Sequence, residues 1–294
     1  MYGDWLQLRG DPRGALIAAH AQGDVQAAEG LLREHAEEFL GPFAPGAELA
    51  SSVALGWGLG FWRRAVLCHH DGDDLDELVR RVLEHPSARF LEQLVVRSGD
   101  EEPASVGRLP LRSAIEALLQ RGPLPSLRAV ALGDRPEGHS SDVPVGELGG
   151  LWSIAPRLER LEVSGRAILL TRFSERLRWL ALHTAGLPRA TLVGLGRARL
   201  PALQHLDLCL GAAVYGGTCT DVDLARLLAG DGLHSLRWLG LRNSELLDEL
   251  PTLLAAGPLL QRLEVLDLSH GILTDAGACE LIEWWRRFAH LEQL

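Results

Sequence analysis

Residues 200–211 read Leu200-Pro201-Ala202-Leu203-Gln204-His205-Leu206-Asp207-Leu208-Cys209-Leu210-Gly211, and the frame L-x-x-L-x-L at Leu203, Leu206 and Leu208 decides how the chain is read. The frame ends in strict alternation, which places one set of side chains on each face of a strand and spoils the stripe of a helix. It recurs at Leu158/Leu161/Val163, Leu177/Leu180/Leu182, Leu236/Leu239/Leu241 and Leu263/Leu266/Leu268, and reopens at Leu291/Leu294. Leu127/Val130/Leu132 and Leu91/Leu94/Val96 extend it upstream.

Successive frames start 19 to 36 residues apart, scattered around the 20 to 29 residues of a leucine-rich repeat, and the scatter implies inserted loops. Between frames the period changes. Asp223 to Leu228 and Ala278 to Trp285 space apolar residues three and four apart, as amphipathic helices do. Thr274 and Asp275 precede the second of these as N-cap residues. Gly186, Pro188, Gly194 and Gly196 break the spacer 183–202, where a short helical turn is expected. The turn positions after the strands, Arg135, Arg166, Ala185, Gly211, Ser244 and Gly271, do not keep an asparagine; the chain's single Asn243 lies one position early. The expected fold class is therefore α/β, a leucine-rich repeat solenoid of about seven to eight repeats over 87–294. Its parallel sheet would line the concave face and its helices the convex face.

Residues 1–86 lack the frame and read as helices broken by Gly and Pro, a small N-terminal cap for the first repeat. Gly23 to His35 is one helix candidate. Asp73 to Leu83 is another, with acids first and arginines last, as the helix dipole favours.

Composition narrows the function. The chain has 294 residues, 47% hydrophobic and 23% charged, with leucine near one residue in five, which is the composition of a folded protein. The 39 acidic residues outnumber 29 basic ones, for a net charge of −10, and the basic residues are all arginine. A broad nucleic-acid surface is not expected, because such binding is dominated by clustered cations. Without lysine there is no P-loop lysine and no Schiff base; the depletion reads as coding bias. Cys68, Cys209, Cys219 and Cys279 stand far apart with no C-x-x-C pair, so free thiols in a cytoplasmic protein are expected. The apolar stretches are too short to span a bilayer, and no membrane partner is expected.

The segment Tyr2-Gly3-Asp4-Trp5-Leu6-Gln7-Leu8-Arg9-Gly10-Asp11-Pro12-Arg13-Gly14-Ala15-Leu16-Ile17 resembles the repeat-companion motif found ahead of repeats in bacterial leucine-rich repeat proteins, roughly Y-A-D-W-L-E-E-R-G-D-P-R-G-E-F-I. Gly41-Pro42-Phe43, Trp57 to Phe61 and His85-Pro86-Ser87-Ala88-Arg89-Phe90-Leu91 are similar to later signposts in such proteins. The resemblance implies a ribonuclease-inhibitor-like architecture and leaves the activity open.

Aligned frames map one face. Position three reads Gln93, Ala129, Arg160, Trp179, His205, Trp238, Val265 and Gln293. Position five reads Val95, Ala131, Glu162, Ala181, Asp207, Gly240 and Asp267, and position seven Arg97, Gly133, Ser164, His183, Cys209, Arg242 and Ser269. Two tryptophans flanking a histidine, ringed by charge, have the composition of an interface hot spot. The candidate partner-binding residues are Trp179, Trp238, His205, Arg160, Glu162, Asp207, Arg242, Asp267 and His183, acting in non-enzymatic recognition of a protein partner that is regulated or inhibited by the contact. Loop 209–222 covers the tryptophans in the opposing reading; Gly211 to Thr220 is Gly-rich without phosphate-loop spacing and reads as a flexible flap, and 133–150 reads as a polar rim loop.

Two alternatives stand beside this. His183, His205 and Cys209 lie on neighbouring strands, a placement open to hydrolase chemistry, although an open sheet lacks a water-excluding pocket. The short frame at Leu291 leaves an end open to self-association. His69 to Asp74 groups metal-capable side chains without regular ligand spacing, and no metal or cofactor is expected. One of Trp284 and Trp285 is expected to pack in the core.

Overall fold

The computed structural model describes residues 2–68, 74–98, 110–134, 143–246 and 248–294. The chain opens with four short helices, α1 (Tyr2–Gln7), α2 (Pro12–Gln22), α3 (Val25–Glu34) and α4 (Ala36–Leu40). Asp11 caps α2 by accepting from the Arg13 N–H, with Pro12 at the first helical position, where a missing N–H costs nothing. Gly14 lets α1 and α2 cross: a Cβ there would meet the Gln7 nitrogen at 2.5 Å and the Gly3 oxygen at 2.6 Å. Leu16, Ala19, Ala28 and Phe39 form a small separate core.

A hairpin follows, β1 (Val53–Gly58) and β2 (Phe61–Cys68), antiparallel. Its turn residues Leu59 and Gly60 both have positive φ, 51° and 77°, which matches the twist of a two-residue hairpin. Parallel strands then add one at a time: β3 (Gln93–Arg97), β4 (Ala129–Leu132), β6 (Arg160–Ser164), β8 (Trp179–His183), β9 (His205–Gly211), β10 (Trp238–Ser244) and β11 (Val265–Asp267), giving one nine-stranded sheet in the order β1-β2-β3-β4-β6-β8-β9-β10-β11. Two more strands, β5 (Pro144–Glu147) and β7 (Arg166–Leu169), pair in a separate parallel sheet. The connections carry α5 (Leu75–Glu84), α6 (Pro110–Gln120), α7 (Leu151–Ile154), α8 (Arg189–Leu195), α9 (Asp221–Leu228), α10 (Leu250–Ala256), α11 (Asp275–Glu283) and α12 (Trp285–Phe288).

This architecture corrects the expectation of a leucine-rich repeat solenoid. The molecule is a mixed α/β fold with one mostly parallel sheet, antiparallel at its first pair, and a strand–turn–helix unit is not kept in every connection. The connection from β4 to β6 holds a strand and a four-residue helix; that from β6 to β8 holds a strand and no helix. The leucine frame specifies a strand and its buried face, but the return path is set by each connection's own sequence.

The helical reading of 1–86 is likewise corrected at 53–68. In β2 the buried Trp62, Ala65 and Leu67 are interleaved with the exposed Arg64 and half-buried Val66 and Cys68, the alternation of a strand. β2 pairs with β3, and a single core runs from Phe43 to Phe288, across residue 86. The spacer 183–202 forms the seven-residue α8, and Thr274 caps α11 by accepting from the Ala276 N–H. Trp284 packs against the core while Trp285 is exposed. Among the described residues no helix is long and apolar enough to cross a membrane.

Candidate functional site

The strands share one register. Arg160 pairs with Trp179, Trp179 with His205, His205 with Trp238 and Trp238 with Val265. Positions four and six are buried throughout β6, β8, β9 and β10: Leu161/Val163, Leu180/Leu182, Leu206/Leu208 and Leu239/Leu241. Positions three, five and seven therefore stand in rows across the opposite face.

In the first row the rings form a ladder. His205 lies 3.3 Å centroid-to-centroid from Trp179 at 6° and 3.9 Å from Trp238 at 15°. The Arg160 guanidinium sits 4.0 Å over the Trp179 ring, held by the negative face of the indole, and its Nη2 donates to Glu162 Oε2 at 3.3 Å. All three rings are half-buried. Burial pushes the His205 imidazole down to about 4, the nearby Arg160 and Arg242 charges acting the same way and Asp207 opposing; the ring between the indoles is neutral at neutral pH.

The second and third rows build a polar cluster beneath. Arg242 donates to Asp207 from two nitrogens, Nε to Oδ1 at 2.9 Å and Nη2 to Oδ2 at 2.6 Å, a fork geometry that fits a carboxylate. His183 Nε2 stands 3.0 Å from Asp207 Oδ2 and 3.1 Å from Arg242 Nη2, with Nδ1 3.4 Å from Ser164 Oγ. A guanidinium only donates and a carboxylate only accepts, so with its proton on Nε2 the ring serves Asp207 and accepts the Ser164 hydroxyl on Nδ1. Burial raises the Asp207 pKa, but the His183 and Arg242 hydrogen bonds outweigh it and leave the group below the ordinary carboxylate range. Asp267 flanks the cluster, 3.9 Å from Arg242 Nε.

Of the sequence-predicted residues, this geometry joins Arg160, Glu162, Trp179, His205 and Trp238 in one contiguous surface, and His183, Asp207, Arg242 and Asp267 in the network under it. Loop 212–220 is pinned at the C-terminal ends of the strands, where Ala212 N–H donates to Ala185 and Thr218 N–H to Leu187, whereas Trp179, His205 and Trp238 open theirs. That contact departs from the expected free flap.

The Cys209 thiol is pushed up to about 11, chiefly by burial, with the Asp207 charge adding; a thiol so held is not a thiolate nucleophile at neutral pH. The line Ser164–His183–Asp207 has the order of nucleophile, base and acid, but Asp207 gives both oxygens to Arg242 and all three side chains are buried. His69 to Asp73 and Arg135 to Asp142 lie outside the described residues. Among the described residues no group of three or more His, Cys, Asp or Glu is placed to hold a metal ion.

Sequence reasoning missed that β2 continues these rows: Arg64 pairs with Gln93 and Cys68 with Arg97. The alternation in Trp62-Arg63-Arg64-Ala65-Val66-Leu67-Cys68 was the available signal.

No family model matches the chain, and no curated protein matches it. Among solved structures it is similar to a protein of Bacteroides fragilis determined as a structural genomics target, with TM-score 0.63 and 21% identity over 76% of this chain and 65% of that one. The match lends support to the fold alone. This chain spans just under two thirds of the length of that structure.

Proposed function

We propose that the protein is a non-catalytic recognition module that binds a protein partner on the face of the sheet carrying Trp179, His205 and Trp238, and that the contact regulates the partner. The observation that carries this reading is the half-exposed ladder of three stacked rings with Arg160 over its end. Aromatic groups and arginine are enriched at the centres of interfaces, where rigid rings bury large area at small entropic cost. Mutual stacking fixes the rings before a partner arrives, which lowers the ordering cost of association. The Asp207–Arg242–His183 network beneath holds β8, β9 and β10 together at the same place.

The test is the affinity of single alanine variants for a partner recovered by affinity capture. Trp179→Ala and Trp238→Ala each weaken binding by about 1 to 2 kcal/mol or more if the rings are a hot spot. Wild-type affinity in the double variant overturns the reading.

A further inference from the structure

On the same face, four strands away from the Trp238 ring, the side chains stop. β4 presents Ala129, Ala131 and Gly133, while β3 on one side presents Gln93, Val95 and Arg97 and β6 on the other presents Arg160, Glu162 and Ser164. The result is a trough of about 310 Å³, closed at the first row by Arg64 of β2, at the lower end of the sizes that hold small ligands. With strands 4.8 Å apart its walls stand about 10 Å from each other. Gly133 is fixed in this place by its backbone: φ is +85°, and a Cβ there would run into the Ser164 carbonyl.

Charge tells what the trough takes. Arg64, Arg97 and Arg160 line it with one carboxylate, Glu162, in a chain whose net charge is −10, and the Arg160 guanidinium turns away over the Trp179 ring. Arg160 already touches Glu162 and Trp179. Among the described residues the Arg64 and Arg97 side chains have no hydrogen-bond or ion-pair partner. Arg64 and Arg160 stand in the first row and Arg97 in the third, four residues along, which is about 13 Å at 3.3 Å per residue.

We infer that the trough over β4 docks an extended, acidic peptide segment, laid along the strands with two carboxylate side chains about four residues apart, one at Arg64 and one at Arg97. An extended peptide rises by the same 3.3 Å per residue as the strand beneath it, so the two spacings match. The small floor admits its backbone and the free guanidiniums bind carboxylate in fork geometry. This rests on the recognition reading above and names the chemistry of the partner at one end of the same face.

The experiment titrates fluorescein-labelled Gly/Ser/Ala peptides carrying two glutamates at separations from two to six residues, followed by anisotropy at low and physiological salt. Binding is expected to peak near a separation of four, to weaken with salt, and to fall about tenfold, or 1.4 kcal/mol, when both glutamates become glutamine. The same loss is expected in an Arg64→Gln/Arg97→Gln variant, and in Ala131→Leu, which fills the floor without touching a charge. Circular dichroism checks that each variant is folded. Equal binding of acidic and neutral peptides, or binding unchanged in both variants, overturns the inference. Full competition by inorganic phosphate at similar concentration also overturns it, showing a bare anion site. A Trp179→Ala/Trp238→Ala variant separates the readings: if it loses the captured partner while Arg64→Gln/Arg97→Gln keeps it, recognition by the rings stands and docking in the trough fails.

Discussion

The strands β8 to β10 and the strands β3 to β6 share one backbone register yet present opposite surfaces. Over β8 to β10 the side chains satisfy one another: indole on imidazole on indole above, guanidinium on carboxylate on imidazole below. Over β4 the rows are empty, and the Arg64 and Arg97 guanidiniums beside the gap lack protein partners among the described residues. Identical pairing geometry therefore says nothing about whether a face is self-satisfied. Side-chain size at three positions, Ala129, Ala131 and Gly133, decides it.

That contrast breaks most visibly in stability. Asp207→Ala leaves Arg242 and His183 without their acceptor, and the expected loss is about 3 kcal/mol, because removing one partner of a buried ion pair strands the other charge. Denaturant titration measures it, and a loss no larger than that of a surface substitution contradicts the assigned network. Gly133→Ala should cost about 1 to 3 kcal/mol by the same measurement, since a left-handed backbone and the Ser164 carbonyl both exclude a Cβ.

Acid sharpens the comparison next. His205 titrates near 4 in the folded chain against an ordinary 6.5, so between those values the unfolded chain takes up a proton that the folded one refuses. Its contribution is complete above about pH 6.5 and declines as pH falls toward 4. His85, stacked on Trp62 and pushed down to about 4 by burial with the Arg13 charge adding, behaves the same way in the N-terminal part. Melting temperatures of wild type and His205→Phe measured from pH 7 to 4.5 should converge less steeply in the variant, which keeps a ring in the ladder but cannot be protonated. Identical slopes would remove His205 from the account. Arg64→Gln is the smallest effect: an exposed side chain without a partner among the described residues should change stability by less than about 0.5 kcal/mol, and a larger loss in denaturant would show that the trough's rim is structural.

The strands and their rows were legible in the sequence because leucine at positions four and six marks the buried face without ambiguity, so each of Trp179, His205 and Trp238 could be placed beside the next. Their stacking was not, since ring angle depends on side-chain rotation. Nor was the Asp207–Arg242–His183 bonding, which joins positions five and seven diagonally across strands and leaves no trace in spacing. The connections misled: leucine periodicity encodes β6 and β8 equally well whether a helix or the strand β7 lies between them, so one uniform unit was inferred where the connections differ. The Gly58-Leu59-Gly60 turn carried the hairpin β1–β2, but Gly and Pro breaks around it read as helix punctuation, and that reading hid Arg64, the one trough residue on β2.

The most direct test of the central claim, that the ring ladder anchors a partner, is affinity capture with three baits side by side, wild type, Trp179→Ala/Trp238→Ala and Arg64→Gln/Arg97→Gln, with quantification of every recovered protein. The account predicts a protein retained by wild type, lost by the tryptophan variant and weakened by the arginine variant. Recovery of the same proteins in the same amounts by wild type and the tryptophan variant would contradict it.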